Sequence, residues 1–184
     1  MTDKVYLALG DSMSIDLYTG VEGGGAAAQF FRSLGDGWRL ADYTRDGCVI
    51  AAVPRGHRGD LITLTIGGND LLFHQQRWLT KGLGEFNAAH LALLRGLRAR
   101  SPEARFIVGN VYAPEGLDRQ RLAVLDEANQ AIAANAASVG ARLVDLRSAF
   151  RGHEAAYLCA LVEPTLAGAT AIAALFREAW ASPR

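Results

Sequence analysis

Hydrophobic positions along the chain fall into two patterns, short solid runs and longer stretches with helical spacing. Val5 to Leu9 and Leu61 to Ile66 are the solid runs, which predict strands buried on both faces, as in a parallel sheet. Trp38–Tyr43, Phe106–Tyr112 and Arg142–Leu146 read as the remaining strands. Between them, Ala26–Leu34 predicts a short helix. Leu83 to Arg100 places Phe86, Leu91, Leu94 and Leu97 at helical spacing and stops at Ser101-Pro102. Leu117–Val139 predicts a long alanine-rich helix, entered through Pro114-Glu115-Gly116 and closed by Gly140. A last helix follows Pro164, from Leu166 to Trp180. The alternation of strand and helix implies a parallel sheet between helical layers, in a single domain over residues 1–184.

Composition narrows the function classes. Half of the 184 residues are apolar and 21% are charged, ordinary values for a globular protein. Formal net charge is zero, which gives no support to nucleic acid or another polyanion as partner. No apolar stretch approaches the ~20 residues of a membrane span. Met1-Thr2-Asp3-Lys4 runs straight into the first strand with no signal-peptide pattern, so a cytoplasmic location is expected. Cys48 and Cys159 lack metal-ligand spacing and are expected to be reduced thiols. Neither a cofactor nor a metal is expected.

Two short words carry the chemistry. Gly10-Asp11-Ser12-Met13-Ser14 follows the first strand, and Gly67-Gly68-Asn69-Asp70 follows the third. The carboxyl ends of strands in an open parallel sheet form its ligand crevice. A hydroxyl nucleophile and a neutral amide donor therefore reach one rim, as acyl transfer requires. The chain adds Thr44-Arg45-Asp46-Gly47 after the second strand. Near the end come Tyr157-Leu158-Cys159-Ala160-Leu161-Val162-Glu163-Pro164-Thr165 and then Gly168. In this order and spacing the chain resembles the SGNH (GDSL-type) hydrolase family over nearly its whole length. The resemblance implies a flavodoxin-like three-layer α/β/α sandwich with a five-stranded parallel sheet. It also implies ester hydrolysis; short loops and few aromatics near the motifs point to a small-molecule ester with a short acyl or acetyl group. Ser12 would be the nucleophile, with the Ser12 and Gly47 amides and the Asn69 side chain as oxyanion hole. Gly56 and Gly59 lie in the same loop region as Gly47 and compete for its part.

The last block departs from the family. Aligned on Pro164 and Gly168, Glu163 stands where the family has its histidine base, and Ala160 where it has an aspartate. The two changes are coherent, because an aspartate orients an imidazole but would repel a carboxylate base. An ordinary glutamate pKa is ~4.3, too low for a good base at neutral pH, although burial would raise it. A structural reading competes: beside Pro164, Glu163 could serve only a helix start. His57 and His153 are possible replacement bases, both in loops. His90 reads as a surface or packing residue and His74 as a rim residue. Asp11, Asp16, Asp70 and Glu163 could hold a cation, or brace loops through backbone amides. Arg95, Arg98 and Arg100 read as a solvated helix face. The alternative function is a catalytically inactive member that binds a ligand in the same crevice; a third is altered acyl-transfer chemistry.

Overall fold

The fold was analysed in a computed structural model that describes residues 3–183. Five strands form one parallel sheet: β1 (Lys4–Gly10), β2 (Trp38–Thr44), β3 (Leu61–Thr65), β4 (Arg105–Gly109) and β5 (Arg142–Val144). Their spatial order is β2-β1-β3-β4-β5, with Leu9 opposite Tyr43 on one side and Leu64 on the other. That is the flavodoxin-like order, in which the direction of winding reverses between β1 and β3. The crevice of such a sheet opens at the carboxyl ends of those two strands.

All five residues of β3 are buried, as its solid apolar run requires. β2 lies at an edge, exposing Arg39 and Asp42, charges that blunt an open edge. Helices α1 (Ala26–Arg32) and α8 (Leu166–Ala181) pack against each other, and α8 rests on β4 and β5. Tyr6 of β1, Phe30 of α1 and Phe176 of α8 join across this packing, with ring centroids 5.2 and 5.7 Å apart. A second helix pair, α4 (Gly84–Arg100) and α5 (Arg119–Ser138), also packs together. The sheet is thus flanked by helices as a three-layer sandwich.

Several predicted boundaries move, each for a visible reason. The strand predicted over Phe106–Tyr112 ends at Gly109. Val111 leaves the ladder because Asn129 of α5 takes both its backbone groups, accepting from its N–H at 2.9 Å and donating to its C=O at 2.8 Å. The strand predicted to Leu146 stops at Val144. Asp145 caps a short helix there, α6 (Leu146–Phe150), accepting from Ser148 N–H at 3.1 Å. The predicted solvated arginine face is corrected at Arg98. Its guanidinium donates to the carbonyls of Ala104, Val139 and Gly140 at 2.7, 2.9 and 3.1 Å, tying the end of α4 to the end of α5. The chain after the Asn69 motif is helical, in two short pieces, α2 (Gly68–Phe73) and α3 (Gln75–Lys81), while α7 (Glu154–Tyr157) and a hairpin of β6 (Leu158–Cys159) and β7 (Glu163–Pro164) were not predicted. No helix among the described residues is long and apolar enough to cross a membrane.

Candidate active site

Glycine shapes the exit from β1. Gly10 has φ +127°, and a Cβ there would lie 1.8 Å from the Thr65 carbonyl oxygen. Only glycine lets β1 lie this close to β3 while the chain turns upward. Asp11 N–H then donates to Thr65 O at 2.9 Å, and the Asp11 carboxyl accepts from Met13 N–H at 3.2 Å. The resulting turn of 3-10 helix, Ser12–Ser14, is pinned to β3 by Ser14 Oγ and Thr65 Oγ1, 3.0 Å apart. Ser12 is mostly buried (7% exposed) and faces the cleft described below.

Asn69 arrives at the same rim by the same device. Gly67, at φ +113°, turns the chain from β3 into α2, and Asn69 occupies the first turn of that helix. Its Nδ2 donates to Cys48 O at 3.0 Å, which uses one amide hydrogen and fixes the side chain's orientation. Gly47 precedes Cys48 in an exposed turn closed by Cys48 N–H to Arg45 O at 3.2 Å. The turn therefore lies against Asn69, while Gly47 itself does not line the cleft. Asp70 accepts from Ile50 N–H at 3.0 Å and Asp16 from Gly23 and Gly25 N–H at 2.6 and 2.7 Å. These carboxylates brace loops. Among the described residues no group of three or more His, Cys, Asp or Glu side chains could hold a metal ion.

Glu163 does not cap a helix. Thr165 caps α8, its hydroxyl accepting from Gly168 N–H at 3.2 Å. Glu163 instead sits in the hairpin, paired with Cys159, and its carboxyl turns inward. Burial pushes its pKa above the ordinary glutamate value, the Ser12 hydroxyl acts on it as a hydrogen-bonding partner and lowers it, and Asp46 raises it. Yet Oε2 is buried without a hydrogen-bond partner. Asp11 is more deeply buried, and its pKa is held well above the usual range by burial, with Glu163 and Asp70 adding repulsion.

The two candidate histidines lie elsewhere. His57 stacks on Tyr43, ring centroids 4.0 Å apart, and His153 is exposed and stacks on Tyr157 at 5.0 Å. Neither lines the cleft that contains Ser12. His74 joins α2 to α3 and stacks edge-on with Trp78. His90 is buried in α4 as a packing residue.

The sequence reading placed a crevice at this rim but missed its apolar walls. Ser12, Asp11 and Asn69 line an apolar cavity of about 90 Å³. Leu71, Leu72, Trp78 and Leu79 from α2 and α3 line one side, and Leu117, Val124 and Leu125 the other. Arg121 bridges the two sides, its Nε donating to Gln75 Oε1 at 2.9 Å while it pairs with Asp118. The signal was a set of leucines just after the Asn69 motif and at the start of the long helix, which periodicity alone assigns to the core.

A flavodoxin-like sheet that delivers serine and asparagine to its switch point, beside an apolar cleft, belongs to the acylhydrolase class. The chain is a member of the GDSL-like lipase/acylhydrolase family, whose model matches residues 8–171. Among solved structures it is similar to the lipase Lip_vut3 from a goat rumen metagenome, at 18% identity, 96% and 97% coverage of the two chains and TM-score 0.80. The acetylxylan esterase Axe2 from Geobacillus stearothermophilus is 18% identical, with 98% and 95% coverage and TM-score 0.75. An extracellular lipase from Streptomyces rimosus is 21% identical, with 96% and 99% coverage and TM-score 0.71. At such identities these likenesses speak for the fold. A search among curated proteins finds no match.

Proposed function

We propose that the chain is a serine esterase in which Ser12 attacks a small ester and Glu163 serves as the general base. The observation that carries this reading is the Glu163 carboxyl, which the Ser12 hydroxyl influences and whose Oε2 is buried with no hydrogen-bond partner. A glutamate kept only for structure would have its oxygens satisfied. Burial raises its pKa above the ordinary glutamate value, which improves a carboxylate as acceptor of the serine proton.

In the reaction, Ser12 Oγ bonds to the ester carbonyl carbon as its proton passes to Glu163. The tetrahedral oxyanion is held by the Ser12 N–H and the second hydrogen of Asn69 Nδ2, with the Gly47 N–H, outside the cleft in the turn that Asn69 grips through Cys48 O, as a third donor once substrate is bound. Collapse expels the alcohol, which takes the proton from Glu163. Water, deprotonated by the same carboxylate, then releases the acid and regenerates Ser12. The acyl group lies in the apolar cleft, whose volume of about 90 Å³ favours a short chain.

The test uses aryl esters of increasing acyl length. Wild type should turn over the short members, and Ser12→Ala should lose turnover and covalent labelling by a phosphonate. Equal labelling of wild type and Ser12→Ala would remove Ser12 from the mechanism.

A further inference from the structure

Glu163 is carried by a hairpin with two-residue strands and a strained tip. The loop from Ala160 to Val162 joins Cys159 to its partner Glu163. Ala160 and Leu161 both have left-handed backbone, with φ +45° and +75°, and neither is glycine. Such residues are strained, and they persist where surrounding structure imposes the conformation. Leu161, at the tip, is 85% exposed, so burial of the tip does not impose it.

The contact that can impose it lies on the Glu163 side. Tyr112 Oη donates to Val162 O at 2.6 Å, on the peptide unit that leads directly into Glu163. The donor is rigidly mounted. Its ring is buried and stacks on Phe150, with centroids 4.3 Å apart and planes 6° apart. The preceding residue, Val111, is clamped at both its N–H and C=O by Asn129. Besides its own short ladder, which pairs Leu158 with Pro164 and Cys159 with Glu163, the hairpin is tied by Thr165 N–H to Tyr157 O at 2.8 Å and by a weak Cys159 Sγ contact with Tyr18 O at 3.9 Å. None of these holds the Val162 carbonyl, which Tyr112 alone is seen to bind among the described residues.

We propose that Tyr112 is the positioning residue of the base: its hydroxyl fixes the Val162 carbonyl and so sets the Glu163 carboxyl against Ser12. The proposal rests on the reading of Glu163 as base. A carboxylate has no tautomer to select, so orientation is what it needs, and here the backbone supplies it. Tyr112 also lines the cleft with Ser12, so the test removes only its hydroxyl and keeps the ring as wall.

The experiment is a double-mutant cycle of Tyr112→Phe and Glu163→Gln, with kcat, KM and pH profile on a short aryl ester. All four proteins are compared at a temperature where each is folded by circular dichroism. Phenylalanine keeps the ring and its stacking and removes the hydroxyl. Tyr112→Phe should lower kcat about tenfold or more, the scale of a misplaced reacting group, with KM changed less than about twofold. Its acid limb should move to lower pH, because a loosened carboxyl is better hydrated. In the Glu163→Gln background the same substitution should change kcat by less than about twofold, since the group it positions is already lost. Equal losses in both backgrounds, or a wild-type kcat in Tyr112→Phe, would overturn the proposal while leaving Glu163 as base. A fully active Glu163→Gln would overturn the base reading and this proposal with it.

Discussion

The buried histidine of α4 should make the fold acid-sensitive. His90 is fully buried, its ring stacked near Phe86 at 6.2 Å, Nδ1 lying 3.3 Å from Asn135 Nδ2 and Nε2 without a partner. Burial lowers its pKa from the ordinary 6.5 to about 4. The fold therefore holds the neutral ring, and the unfolded chain takes up the proton first. The stabilising contribution is complete above the unfolded value and is lost as pH falls toward the folded one. At about 1.4 kcal/mol per pH unit, that gap is worth about 3 kcal/mol, against a total of ~5–15 kcal/mol for a typical domain. His90→Phe keeps a flat ring and removes the titration. Asn135 retains Asn87 Oδ1 as a partner at 2.8 Å. Urea unfolding of both proteins at about pH 7 and about pH 4 isolates the effect, because every other titrating group is common to the pair. Between those conditions wild type should lose about 3 kcal/mol more than the variant. Parallel losses would refute the argument.

Two further perturbations probe the walls of the site. Asn129→Ala strands the N–H and C=O of Val111 and should cost about 2–4 kcal/mol in urea unfolding; a loss below about 0.5 kcal/mol would mean that the clamp is replaceable. Asp11 has a pKa raised chiefly by burial, so its neutral form stabilises the fold below the ordinary carboxylate range and that contribution disappears as pH rises through the folded value. Asp11→Asn should therefore match wild type in acid and exceed its Tm increasingly at higher pH. A Tm difference that stays constant with pH would contradict this.

The fold was legible because its signals are local. Solid apolar runs marked β1 and β3, and glycine-led motifs at their ends marked the turns where the backbone crowds. Ser12 and Asn69 could be placed for the same reason. The apolar walls of the cleft were not legible, since Leu71, Trp78 and Leu125 look like core residues until tertiary packing leaves a gap between them. The end of β4 was misread because the competing bond comes from Asn129, 18 residues further along. Tyr112 looked like strand, and nothing local tells that its hydroxyl meets Val162, 50 residues away. Glu163 was flagged by its mismatch to the family block, but whether it capped a helix or turned inward depended on Thr165 taking the cap.

The central claim is that Glu163 takes the proton from Ser12. Its most direct test is the pH dependence of Ser12 labelling by an activated phosphonate, measured in wild type and Glu163→Gln. In wild type the rate should rise with pH through one ionisation, above the ordinary glutamate range because the carboxyl is half-buried. In Glu163→Gln that limb should vanish and the rate fall about 10²-fold or more, the scale of a lost general base. A Glu163→Gln protein that labels at the wild-type rate with the same limb, while His57→Ala or His153→Ala loses it, would contradict the claim.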